Sequence, residues 1–330
     1  MAGPLLTRRE AFSLAAQGRS RGPAAVPVPR AELVNTLEFE EQARRRLAPA
    51  VFAQLAGSGR APFDRITLRP RMCVPVLDMH LGVTLFGDAH FAPIVVGPIS
   101  NQRRFHADGE LATARGAGAA NATMVVSSES SVALAEIAAA SRTPFWYQAS
   151  TQDPGAAAKI QAAVRLGCRA VCLTVSAPTA ADWQVVSETA QASAVPVIVK
   201  GITTPAAVAT AIQRGARGLV VSTYNARPGA NPDSPILALA SIVDAAGGRV
   251  PVLVDGSFRR GTDVIKALAF GARAVLIGRP AMWGLAAYGA DGVQGVIEML
   301  QTELARYMGM CGKPALAALD RTLLKVHARG

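Results

Sequence analysis

The 330-residue sequence predicts a single α/β domain, a (β/α)8 barrel of the TIM type with a helical extension on its N-terminal side. Three observations predict it. From residue 92 onward, eight apolar, strand-like runs recur, each followed by a turn and an Ala-rich helical stretch. The runs are almost continuously apolar rather than alternating, which marks strands covered on both faces in a parallel sheet. Eight such units fill about 220 residues, which suits a closed barrel. An open doubly wound sheet is the alternative, but its first turn would carry a GxGxxG pattern, and here that turn reads Gly97-Pro98-Ile99-Ser100.

Residues 1–30 read as a loosely ordered leader, with the domain proper at 31–330. Arg8-Arg9 resembles a twin-arginine export signal, but the apolar stretch after it, Ala11 to Ala16, is short of the usual 7–15 residues. Export is therefore the minor reading. Glu38–Leu55 is a helical segment expected to cap the bottom or side of the barrel. The eight strand runs follow: Ala92–Pro98, Thr123–Ser128, Phe145–Ser150, Ala170–Val175, Val195–Lys200, Gly218–Thr223, Val250–Asp255 and Ala274–Arg279. Between the fifth and sixth, Thr204 and Pro205 serve as N-cap and first helical residue, and Gly215 as the C′ residue. Thr262-Asp263 opens the helix that runs to Gly271, and a long last helix spans roughly Asp291 to Met308.

Composition narrows the function. Half the residues are apolar, so a large core is available, and the net charge of +11 suits anionic ligands. The basic residues are scattered, with no run of Lys and Arg interleaved with aromatics, which argues against nucleic acid. No apolar run reaches the roughly 18 residues of a membrane span. The four cysteines, Cys73, Cys168, Cys172 and Cys311, lack metal-site spacing and read as buried thiols in a reducing, cytoplasmic setting. The four histidines form neither HxH nor HExxH, so no metal site is expected.

In a barrel of this kind, polar residues at the C-terminal ends of strands face the active site. Position alone selects Ser127, Ser128, Gln148, Thr174, Lys200, Ser222, Tyr224, Arg227, Asp255, Arg259, Gly278 and Arg279. Lys200 closes a buried strand in Val-Ile-Val-Lys-Gly. It suits a Schiff-base amine, a phosphate contact or a charge beside a cofactor ring, and the plain alternative is an ion pair with Asp255. The loops Asp255-Gly256-Ser257-Phe258-Arg259-Arg260 and Gly278-Arg279-Pro280 follow strands seven and eight, where such barrels bind phosphate. Freed backbone N–H groups and an arginine fork suit that ligand.

Several ordered motifs resemble the FMN-dependent α-hydroxy-acid oxidase and dehydrogenase family, which includes glycolate oxidase. They are Arg69-Pro70-Arg71, Gly109-Glu110-x-Ala112-Thr113-Ala114-Arg115, Leu173-Thr174-Val175, Lys200-Gly201, Ser222-x-x-x-Ala226-Arg227, Asp255-Gly-x-x-Arg259-Arg260-Gly261-Thr262-Asp263 and Ile277-Gly278-Arg279-Pro280. The similarity covers about residues 36 to 328. It implies FMN, with its phosphate on Gly278, Arg279 and the loop through Asp255, Gly256, Ser257 and Arg259. It implies Lys200 against the N1/C2-carbonyl side of the flavin, aided by Ser222. Ser127, Gln148, Thr174 and the backbone of Pro98, Ile99 and Ser100 would line the ring, and Arg227 would clamp a substrate carboxylate. The family's tendency to tetramers implies a homo-oligomer.

The departures fall in the substrate half. The family has Ser-Asn-His-Gly-Ala-Arg after strand six, its histidine being the base. Here Tyr224 stands at that position, and Ser176 stands where the aspartate that orients the histidine belongs. A tyrosine with an ordinary pKa near 10 is a poor base at pH 7. Family aromatics are replaced by Gln54, Ser150 and Glu129, and the lid after strand four is nearly absent, since Pro178 to Ala194 holds little more than one helix. His106 is a minor candidate for the missing base. The expectation is an FMN-dependent oxidoreductase with a rewritten substrate site, with Lys200, Tyr224 and Arg227 as catalytic residues. It would oxidise a small hydroxy- or amino-bearing anion, with oxygen as a possible acceptor. The alternatives are a flavin-dependent isomerase or reductase, and a flavin-binding partner protein with little turnover.

Overall fold

The computed structural model describes residues 28–55, 60–71, 74, 76, 78–176, 179–224 and 234–328. The expected leader lies outside the described residues up to position 27, as do Cys73 and Arg227.

Eight parallel strands form the sheet: β1 Ile94–Val96, β2 Val125–Ser127, β3 Trp146–Ser150, β4 Val171–Thr174, β5 Val197–Ile202, β6 Gly218–Val221, β7 Val252–Asp255 and β8 Ala274–Ile277. Consecutive strands from β2 to β8 are neighbours, and β8 pairs with β1 in the register Val275↔Ile94. The ring closes where Val96 bridges Met124 and its N–H donates to the Thr123 carbonyl at 2.9 Å. The helices that follow the strands are α1 Gly109–Ala119, α2 Leu134–Ala140, α3 Ala156–Arg165, α4 Ala180–Ala192, α5 Pro205–Gln213, α6 Pro235–Ala246, α7 Gly261–Ala269 and α8 Arg279–Met310. This is the barrel that the eight apolar runs predicted.

Period-2 geometry explains why those runs are apolar throughout. Val95, Val125, Trp146, Cys172, Ile198, Val220 and Leu253 fill the barrel interior. Their neighbours Ile94, Val126, Leu173, Val199 and Val254 turn outward into the layer beneath the helices. Cap chemistry sets helix starts. Thr204 accepts from the Ala207 N–H ahead of α5, and Thr179 and Asp182 form a capping box on α4.

Three features depart from the sequence reading. The bottom of the barrel is closed by a hairpin, Val83–Leu85 with Asp88–His90, whose Phe86 meets Trp146 edge-on at 5.4 Å. The N-terminal segment begins at Thr36 rather than Glu38 and splits into Thr36–Arg46 and Pro49–Ala53, because Pro49 starts a new helix. It packs along the side, with Phe39 edge-on to Tyr288 at 5.8 Å. Finally, α8 begins at Arg279, twelve residues earlier than the sequence suggested, and is broken at Tyr288–Gly289, where Gly289 has φ 60°. No helix among the described residues is long and apolar enough to cross a membrane.

Candidate active site

The C-terminal strand ends surround a cavity of about 790 Å3, within the usual range of roughly 300–1,000 Å3 for small-molecule sites. Its walls come from nearly every barrel strand. Pro98, Ile99 and Ser100 follow β1, and Ser127 ends β2. Gln148 lies on β3, Thr174 ends β4, and Lys200 lies on β5. Tyr224 follows β6, Asp255, Gly256, Ser257 and Arg259 end or follow β7, and Gly278 and Arg279 follow β8. Ser222 is buried behind Lys200.

One side of this cavity is a polar ladder. Ser127 donates to Gln148 Oε1 at 3.1 Å, and Gln148 Nε2 donates to Thr174 Oγ1 at 3.0 Å. Ser127 and Gln148 are register partners on adjacent strands, and the long Gln148 amide reaches Thr174, two residues beyond its own partner Cys172 on β4.

Lys200 is the buried cation of the site, only 4% exposed. Its Nζ donates to Ser222 Oγ at 2.8 Å and lies 2.9 Å from Asp255 Oδ2. Ser222 in turn donates to Asp255 at 2.9 Å. The ion pair that the sequence offered as the plain alternative is therefore present, and the lysine still lines the cavity. A β-bulge at Lys200–Ile202 re-aims the strand end. Gly201 makes it possible. Its φ is 112°, and a Cβ there would lie 2.1 Å from the Val175 carbonyl oxygen.

The opposite pair of loops is rich in arginine. Arg259 is buried, stacks on Trp283 at 4.5 Å and donates to its neighbour's carbonyl, Phe258 O, at 3.0 Å. Burial pushes its guanidinium down to about 10, and the charge of Arg279 adds to the effect. Burial likewise lowers Arg279, against the pull of Asp255 and Glu40. Arg279 forms no ion pair among the described residues and opens α8 directly after Gly278. Two partly desolvated guanidiniums, one of them disfavoured by the other's charge, beside a helix N-terminus make a site suited to an anion.

The substrate-side residues are placed differently. Tyr224 is 65% exposed, with its ring 5.2 Å from Lys200 Nζ. Arg227 lies outside the described residues. His106 does not line the cavity. Its Nδ1 accepts from the Asp108 N–H, and its ring packs toward Gly289.

Sequence reasoning missed several contributors. The α8 N-terminus was read as a turn, although Pro280 early in a helix is a start signal. Asp263 organises the anion loop, accepting from the Arg259 and Arg260 N–H groups at 2.9 Å each while pairing with Arg60 at 2.6 Å. Thr36 donates to the Arg259 carbonyl, tying the N-terminal segment to the same loop. Arg104 also lines the cavity, as does Gln54, which the sequence marked only as a departure from a family aromatic. No local pattern announces the contacts of Arg60, Thr36 or Arg104 across the chain.

The family model for FMN-dependent dehydrogenases matches residues 54–182 and 176–326. A peroxisomal (S)-2-hydroxy-acid oxidase of Oryza sativa subsp. japonica is 32% identical, over 88% of this chain and 95% of its own length. An L-lactate oxidase of Nostoc sp. is 33% identical, over 88% of this chain and 98% of its own. Among solved structures, a mandelate oxidase superposes with a TM-score of 0.84 at 33% identity, covering 90% of this chain and all of that one (100%). With matches of this extent, the chain belongs to the FMN-dependent dehydrogenase family and is an oxidoreductase with FMN as its cofactor.

Proposed function

We propose that the protein is an FMN-dependent oxidase of small anionic hydroxy- or amino-bearing substrates, with a cofactor half like that of its relatives and a rewritten substrate half. The residues present fit FMN. The phosphate matches Arg259, Arg279, Ser257 and the α8 N-terminus at Gly278, where two partly desolvated guanidiniums gain from an anion. The backbone at Pro98, Ile99 and Ser100 and the ladder Ser127–Gln148–Thr174 would offer donors and acceptors to the polar edge of a flat heteroaromatic ring.

Bound FMN supplies a two-electron acceptor for the carbon that carries the hydroxyl or amine. Lys200 stabilises negative charge that develops beside it, and Asp255 and Ser222 hold the ammonium in place so that no reorganisation is needed. Asp255 and Gly256 fix the loop between Lys200 and the phosphate side. Arg227 clamps a carboxylate. Tyr224 stands where a base is required and acts as a hydrogen-bond donor at the rim. Its exposure suits a wide entrance. Molecular oxygen is the final acceptor in this reading. The family resemblance and the buried thiols support a cytoplasmic homo-oligomer.

The observation that carries the reading is Lys200, a cation buried at a strand end and held by two partners against the cavity. Anaerobic mixing of the holoprotein with a panel of 2-hydroxy and 2-amino acids tests it. Bleaching of the visible flavin band by a panel member is the expected result. Bleaching by NAD(P)H alone would indicate a reductase, and no bleaching by any of them a flavin-binding protein with little turnover.

A further inference from the structure

We infer that Arg104, on the loop after β1, is a second contact for the anionic group of the substrate. The inference rests on the proposed function and adds to it a specificity-determining residue.

Arg104 ends the short turn Gln102–Arg104 after β1, and the backbone beneath it is fixed. The Gln102 N–H donates to Glu110 Oε1 at 2.9 Å, and the buried Glu110 also accepts from Ser131. The Asn101 N–H donates to the Glu129 carbonyl at 2.9 Å. The side chain is exposed but oriented by three contacts. Nη1 donates to Gln54 Oε1 at 2.9 Å, Nη2 to the Ser100 carbonyl at 3.3 Å, and the guanidinium lies 4.7 Å from the Phe105 ring centroid.

These contacts fix orientation without neutralising charge. Both hydrogen-bond acceptors are uncharged, and no carboxylate lies within 4.0 Å of Arg104 among the described residues. Glu129, which lines the same cavity, makes no ion pair with it. Lys200, by contrast, already has Asp255. Guanidinium carries five N–H donors, and hydrogen bonds to the described residues engage two of them. A cation held in place with donors to spare loses little freedom when it binds a carboxylate. Arg259 and Arg279 are set aside for the phosphate, which leaves Arg104 to act on the substrate.

The test uses benzoate and benzamide, a pair alike in shape and different in charge, bound to the holoprotein without turnover. Binding is read from the perturbation of the visible flavin spectrum. The wild type is expected to bind benzoate at least tenfold tighter than benzamide. Arg104→Gln should reduce that ratio about tenfold, and Arg104→Lys should retain most of it. FMN affinity should be unchanged in both variants, which also shows that they fold. An unchanged ratio in Arg104→Gln overturns the inference, as does a wild type with no preference for benzoate. Loss of FMN affinity in place of the ratio overturns it too, because Arg104 would then belong to the cofactor cradle. Failure of every hydroxy and amino acid to reduce the flavin would defeat the proposed function instead, and the benzoate ratio reads Arg104 separately from that result.

Discussion

The two sides of the barrel mouth are built to different standards. On the side of β5 to β8, most of the charged groups described are buried or tied into a network, and Arg279 stands half-buried beside them. Lys200 is locked by Ser222 and Asp255, and the arginine loop is held by Asp263, Arg60 and Thr36. On the side of β1 to β4, small polar residues such as Ser128 and Ser150 line the wall. β4 ends at Thr174 and α4 begins at Ala180. In the proposed reading the difference reflects two demands: anchoring a phosphate and a developing negative charge calls for rigid, desolvated cations, whereas the wall around a flat ring and its substrate tolerates change among small polar residues.

The comparison breaks most severely at Lys200. Lys200→Met should slow anaerobic flavin reduction by about a hundredfold or more, because charge stabilisation is lost where it is already organised. It should also destabilise the fold by roughly 3 kcal/mol, since Asp255 keeps its charge without its partner. Rapid-mixing kinetics and thermal unfolding measure the two effects. Arg279→Ala comes next. It should weaken FMN binding about tenfold to a hundredfold, read by titrating apoprotein with FMN, and leave the substrate KM at saturating FMN unchanged. A shift in KM with unchanged FMN affinity would move Arg279 to the substrate side.

The smallest effect concerns the shortened loop. Burial pushes the Asp182 carboxyl up, but hydrogen bonds from Thr151, Thr179 and Gln152 outweigh it and hold the group below its ordinary value. A carboxyl lowered in the folded state stabilises above its unfolded pKa of about 3.9 and loses that contribution as pH falls through the folded value. Asp182→Asn should cost about 1–3 kcal/mol near neutral pH. The gap to wild type should shrink below about pH 4. Thermal unfolding across pH 3 to 7 checks both statements.

The contrast also explains what the sequence made legible. Strands buried on both faces leave long apolar runs, so all eight were readable, and with them Lys200 and the anion loops at their ends. The bottom hairpin was not, because its turn residues are Phe86 (φ 53°) and Gly87 (φ 93°) rather than an Asn-Gly pair, and its strands are three residues each. The start of α8 was hidden because Gly278 and Pro280 resemble a turn as much as a helix entry. Arg104, Arg60 and Thr36 acquire meaning only through contacts across the chain, up to the 223-residue separation between Thr36 and Arg259.

The central claim is that the cofactor half is intact and only the substrate half was rewritten. The direct test is the double variant Tyr224→His/Ser176→Asp, assayed for FMN affinity and for the rate of anaerobic flavin reduction by 2-hydroxy acids. Unchanged FMN affinity with a reduction rate raised at least tenfold is the predicted result. Unchanged affinity with no gain in rate would contradict it.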